Sequence, residues 1–313
     1  MIPYEWLDQA EERLVGKVIR TPVIHDSKLD IYLKLENLQR TGSFKFRGAL
    51  NRVMTLTGEE RKQIITASAG NHGLGVAHAV QITGGKATIF VSDHAVPLKV
   101  DAIRQTGAEI REVPGGYGEA EVAGKSYAQK NGGTWISPYN DGQVIAGQAT
   151  VGMELIEQME GIDLQTIIIP TGGGGLFAGI SLAYKKTGKM VRFVGVNPSE
   201  SNFFYSLFTR GSQDGVADNP TLADGLSGAI EPLSITLPIL KQSDSHVISI
   251  SEEKIREAIR YSWWNYGQRI EGSAAIALAS AIFGDVTERP AAVILTGGNI
   301  QPDVFDSLIV GKY

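Results

Sequence analysis

The chain has 313 residues, with 29 Lys and Arg against 34 Asp and Glu, a net charge of −5, and 42% hydrophobic against 20% charged residues. That balance suits a water-soluble globular protein long enough for two lobes, and the lack of any basic block argues against a nucleic-acid partner. No cysteine is present, which excludes disulfides, thiol catalysis and cysteine-ligated zinc or iron–sulfur centres. The opening stretch MIPYEWLDQAEERLVGKVIRTP carries acids where a signal peptide carries bases and then an apolar run. With no apolar stretch near the ~20 residues of a bilayer span, a cytoplasmic protein without a membrane partner is expected.

Along the chain, HDSKLDIYLKLE (residues 25–36) predicts strands ahead of any crossover helix. The segment TGSFKFRGAL (41–50) then places Lys45 between Phe44 and Phe46, with Arg47 close behind. Two readings of Lys45 stand side by side. It opens a surface helix and snorkels past aromatic stems, or it is a reactive amine whose pKa is pushed down by desolvation and by Arg47. Further on, QIITAS, KATIFVS, TIIIP, VRFVGV and AAVILT read as strands. Helix-length stretches separate them: NHGLGVAHAVQI, PLKVDAIRQTG, QVIAGQATVGMELIEQM and SEEKIREAIRYSWWNYG. Apolar strands without period-two alternation, with helices between them, predict parallel sheets covered on both faces, an α/β class. Glycines break the chain near NGGTWISPYNDG, residues 131–142. The expected division is a large domain of residues 1–40 plus 141–313 and a small mobile domain of residues 41–140, with a cleft between them.

Three glycine-containing turns carry chemistry. PTGGGGLFAGISLAYKK (170–186) follows the strand TIIIP and opens a helix, and its four glycines Gly172, Gly173, Gly174 and Gly175 expose main-chain N–H groups along the helix dipole. Such a loop holds a phosphate without a cationic side chain; the bland alternative is a turn that lets strand and helix pack closely. GGGLFA also fits the loose dinucleotide pattern, yet VRFVGVNP offers Asn197 where an acid should meet the ribose, and no GK[ST] follows the glycines, so nucleotide readings weaken. TASAGNHGLGVAHA brings Ser68, Asn71 and His72 to a helix start, which suits a carboxylate or a ring hydroxyl, or simple helix capping. AAVILTGGNI ends its strand on Thr296, where a satisfied turn threonine is the plain alternative. The five histidines, His25, His72, His78, His94 and His246, lack zinc spacing.

Taken together, a sheltered lysine, a polyglycine phosphate cup, an SAGNH turn and a TGGN turn supply what pyridoxal 5'-phosphate requires. In this order the set resembles the fold-type II pyridoxal-phosphate enzymes of the tryptophan synthase β-like architecture, most closely the serine/threonine dehydratase and serine racemase group. The resemblance covers nearly the whole chain, SPYNDGQVIAGQAT included. It implies that Lys45 binds the cofactor covalently and acts as the catalytic base, that Phe44 packs beneath the ring, that Asn71 meets the ring hydroxyl, and that Thr296 faces the pyridine nitrogen. It further implies that Gly172, Gly173, Gly174 and Gly175 hold the phosphate, and that Ser68, Ala69, Gly70, Asn71 and His72 frame the substrate carboxylate. A homodimer and a small hydroxy-amino-acid substrate follow from the same likeness, with Glu271 near the ring.

Two departures shape the expected activity. Racemases resembling this chain carry a serine immediately before the Gly-Asn of the SAGNH turn; here it is Ala69, whose methyl group cannot carry a proton, so β-elimination to a 2-oxo acid and ammonia is favoured over racemisation. Where many relatives place carboxylates for a divalent cation, this chain has Asn197 and Phe203, and no metal is expected. Little sequence follows TGGNI, so feedback control through the appended regulatory domain of biosynthetic threonine dehydratases is not expected. SPYNDG and VPLKVDAIRQTGAEI are similar to segments of dehydratases of hydroxyectoine utilisation. The alternatives are a serine racemase, a threonine synthase-like or β-replacement enzyme, or a phosphometabolite-binding protein without turnover.

Overall fold

A computed structural model of the chain describes residues 2–310. In chain order the first elements are α1 (Tyr4–Leu14), β1 (Val23–Asp26), β2 (Ile31–Leu35), α2 (Lys45–Met54), β3 (Ile64–Ala67), α3 (Asn71–Thr83), β4 (Ala87–Ser92) and α4 (Pro97–Arg104). There follow β5 (Glu109–Val113), α5 (Tyr117–Asn131), β6 (Thr134–Trp135), α6 (Gly142–Gln158), β7 (Thr166–Pro170), α7 (Gly175–Thr187) and β8 (Arg192–Pro198). The last are α8 (Phe203–Arg210), α9 (Thr236–Leu240), β9 (Ser245–Ile250), α10 (Glu252–Tyr266), α11 (Gly272–Ile282), β10 (Ala291–Leu295) and α12 (Pro302–Ile309). Among the described residues no helix is long and apolar enough to cross a membrane.

Two compact units result, one formed by Lys45–Thr150 with the residues up to Val18, the other by Ile19–Phe44 with the residues from Val151 on. The first holds a four-stranded sheet in the order β5-β4-β3-β6, parallel throughout. The second holds a six-stranded sheet in the order β1-β2-β10-β7-β8-β9, in which only β1 runs antiparallel to its neighbour. This is the α/β architecture expected from the continuous apolar strands: β3, β7 and β10 are buried at every position. The helix α11, GSAAIALASAI, is buried on all sides, as a helix apolar all round must be.

The grouping of segments differs from the sequence-based division at both ends of the smaller unit. α1 joins the four-stranded unit because Leu14 packs in one apolar cluster with Phe46, Leu50 and Val53, and Arg13 Nη1 donates to Asn51 Oδ1 at 2.9 Å. Residues 141–150 belong there too: Asp141 Oδ2 accepts from Arg52 Nε at 2.7 Å, and Asn51 Nδ2 donates to Gln143 O at 2.7 Å. Residues 41–44 stay with the six-stranded unit, where Ser43 bridges Gly297 and the Phe44 N–H donates to Thr296 O at 3.0 Å.

Candidate active site

In the four-stranded unit, Lys45 is the first residue of α2, and that helix is not a surface element: Phe46, Arg47, Gly48, Ala49, Leu50, Asn51 and Val53 are all buried. The Lys45 ammonium is half-buried and donates to Pro138 O at 3.2 Å. Pro138 lies just beyond β6, whose pairing continues as Ile136 N donates to Ile65 O at 2.9 Å. β3 ends beside it and turns through Ser68–Gly70 into α3, so Lys45, Pro138 and the SAGNH turn share the carboxyl end of adjacent parallel strands, where α/β sheets bind ligands. The turn is tight at Gly73, where a side chain would collide with Ser68 O. Gly70 is the N-cap, no side chain caps the helix, and Ser68 Oγ instead accepts the Gly70 N–H at 3.1 Å.

His72 occupies the second position of α3 and is 3% exposed. Its Nε2 bonds Ile136 O at 3.3 Å, and because a carbonyl only accepts, Nε2 carries the proton and Nδ1 is left as a bare lone pair with no hydrogen-bond partner. Burial, and then the charge of Lys45, push its pKa down to about 3. The ring is a neutral acceptor at physiological pH.

In the six-stranded unit, the glycine loop leaves the carboxyl end of β7 and enters α7. Gly174, at φ +81, is the N-cap, and the first intrahelical bond runs from Ala178 N to Gly174 O at 2.8 Å. The N–H groups of Gly175, Leu176 and Phe177 therefore have no acceptor within the helix. The loop carbonyls are turned away by neighbours: Thr171 O accepts Asn197 Nδ2 at 2.9 Å, and Gly173 O accepts Thr236 Oγ1 at 2.9 Å. Side chains at Gly172 and Gly174 are crowded out. A Cβ on Gly172 would stand 3.1 Å from Leu226 Cα, and one on Gly174 would stand 2.8 Å from the Phe204 ring.

Next to β7 in the sheet, β10 is followed at once by Thr296, which is 3% exposed and whose hydroxyl makes a long bond of 3.4 Å to Ser273 O. Phe44 is tied to the same residue through Thr296 O. Glu271, the N-cap of α11, donates its N–H to Gly297 O at 3.0 Å, and its carboxylate lies against Gly297. Phe44, Thr296 and Glu271 thus gather at one strand end, with the glycine loop at the next. A buried lysine in this unit, Lys34, is held by Glu154 Oε2 at 2.6 Å, Thr21 O at 2.8 Å and Gln158 Oε1 at 2.9 Å, a structural clamp.

Sequence reasoning did not find Pro138, Thr236 or the bonding role of Asn197. Pro138 acts through a main-chain oxygen that any residue type supplies, and Thr236 reaches Gly173 across 63 positions. Asn197 stands out in the sequence only as an acid that is missing.

Residues 15–297 match a protein family described as pyridoxal-phosphate dependent enzyme. L-threonine ammonia-lyase of Thermotoga maritima is 36% identical over 317 residues, which cover 99% of this chain and 78% of that protein. Among solved structures, the processed form of threonine deaminase isoform 2 from Solanum lycopersicum superposes with a TM-score of 0.89 at 28% identity, covering 97% of this chain and 86% of that one. Maize serine racemase superposes at 0.88 and 29% identity, covering 97% and 95%.

Proposed function

Because the chain belongs to the family of pyridoxal-phosphate-dependent enzymes, we propose that it is an ammonia-lyase that converts a small β-hydroxy amino acid of the L-threonine or L-serine class into a 2-oxo acid and ammonia. The observation that carries this reading is Lys45: its amine is half-buried at the carboxyl end of the sheet, where it donates to Pro138 O at 3.2 Å beside the SAGNH turn. The residues present fit the cofactor. A loop of glycines with its carbonyls bonded elsewhere offers N–H donors to a phosphate, and Thr296 has a weakly engaged hydroxyl.

When bound, the cofactor ring supplies an electron sink for the bond broken at the substrate's Cα. Lys45 would hold the cofactor covalently through Nζ, and the same nitrogen, as a free amine, would take the Cα proton. Gly172, Gly173, Gly174 and Gly175 bind the phosphate, Asn71 the ring hydroxyl and Thr296 the ring nitrogen, with Phe44 beneath the ring. A hydroxyl at that nitrogen would not keep it protonated as a carboxylate does, which would favour prompt loss of the β-hydroxyl. Ser68, Ala69, Gly70, Asn71 and His72 receive the substrate carboxylate. The same reading makes the protein a cytoplasmic homodimer.

Replacement of Lys45 by alanine is expected to abolish both turnover and the visible absorbance of lysine-bound cofactor, as loss of the covalent partner requires; a variant that keeps full activity refutes the assignment. A racemase reading draws on the likeness to maize serine racemase. It needs an acid on the opposite face of the planar carbanion, and the methyl group of Ala69 is not one. L-serine should therefore yield the 2-oxo acid without appreciable D-serine, as chiral chromatography of the products will read; D-serine formed as fast as the 2-oxo acid favours the racemase.

A further inference from the structure

Asn197, near the end of β8, is fully buried and makes three hydrogen bonds to three separate segments. Its Nδ2 donates to Thr171 O at 2.9 Å and to Leu226 O at 3.5 Å, and its Oδ1 accepts the Tyr205 N–H at 3.2 Å. Each segment borders the glycine loop. Thr171 immediately precedes the loop. The short turn Asp224–Leu226 packs on it, with Leu226 Cα 3.1 Å and Gly225 O 3.2 Å from where a Gly172 Cβ would be. α8 brings the Phe204 ring against Gly174.

In a trans peptide the C=O and N–H point in opposite directions. Fixing Thr171 O on Asn197 therefore aims the Gly172 N–H away from Asn197, and fixing Gly173 O on Thr236 aims the Gly174 N–H away from Thr236. An amide is suited to this task because it carries two donors and an acceptor in one plane, so a single side chain serves two carbonyls and one N–H. A carboxylate of the same shape would turn lone pairs toward Thr171 O and Leu226 O.

We propose that Asn197 is a positioning residue for the phosphate cradle: by bonding Thr171 O and Leu226 O it presets the main-chain N–H groups that hold the cofactor's phosphate, and it sets affinity for the phosphate while leaving affinity for the ring alone. The inference rests on the reading that Gly172–Gly175 bind that phosphate.

The test uses the full chain, stripped with hydroxylamine and titrated with pyridoxal phosphate and, separately, with pyridoxal, following visible absorbance. In N197D, which keeps the side-chain volume, the dissociation constant for pyridoxal phosphate should rise about tenfold or more and that for pyridoxal by less than about twofold, because the disturbed bonds act on the phosphate donors alone. If N197D does not accumulate as folded protein, N197A is read in the same way. Equal losses for both compounds, or no loss for either, overturn the inference and leave the functional reading standing. A wild type that takes up neither compound overturns that reading and the inference with it.

Discussion

His72 shows how much chemistry a single buried residue brings to the four-stranded unit. Its ring is held neutral, with a pKa pushed down to about 3 by burial and by the nearby Lys45 charge. In the unfolded chain an imidazole titrates near 6.5, so between those limits the unfolded state binds the extra proton. Protonation then favours unfolding: the contribution is fully present above about pH 6.5 and is lost as pH falls toward 3, by at most about 1.4 kcal/mol per pH unit. Urea midpoints measured from pH 7 down to 4.5 should fall more steeply for the wild type than for His72→Gln, and parallel curves count against the burial argument. At this scale the sequence was legible where chemistry demands a side chain, as at Lys45 in SFKFRG or Thr296 before its glycines. It was silent where the main chain does the bonding, as at Pro138 O, or where the partner is remote, as for Thr236 and Gly173.

Elements were readable according to their place in the sheets. Of the interior strands, β3, β4, β7, β8 and β10 are largely apolar runs because both faces are covered, and each stands out in the sequence. Edge strands lack that signal. β5, EIREV, has no fully buried position, β6 is two residues long, and in β9 only Val247 and Ile250 are buried, so none of the three announces itself. Helix packing was equally hidden. α2 and α6 meet backbone to backbone at a pair of glycines, since a Cβ on Gly147 would stand 2.7 Å from both Arg47 O and Gly48 Cα, while one on Gly48 would stand 2.8 Å from Val144 O. That close approach seats the helix that begins with Lys45, yet QVIAGQAT and FRGAL read only as helical segments with a glycine in each.

At the scale of the whole molecule, the chain passes from one unit to the other three times, after Val18, after Phe44 and after Thr150, so neither unit is a single stretch of sequence. Composition and length predict two lobes, but they cannot say that an N-terminal helix returns to a sheet whose strands begin at residue 64. The pairing is made by packing: Leu7, Ala10 and Leu14 are the buried face of α1, and Leu14, 1% exposed, joins the cluster around Phe46, Ala49 and Leu50 of α2. Truncating Leu14 to alanine removes buried methyl groups and leaves a cavity beside the helix that starts with Lys45, at an expected cost of about 2–5 kcal/mol. Val15, adjacent in sequence but 70% exposed, serves as the control, since surface substitutions usually stay within about 0.5 kcal/mol. If α1 belongs to this core, chemical denaturation of the full chain will place Leu14→Ala well below both the wild type and Val15→Ala. If instead α1 lies loosely on the surface, the two variants will unfold together.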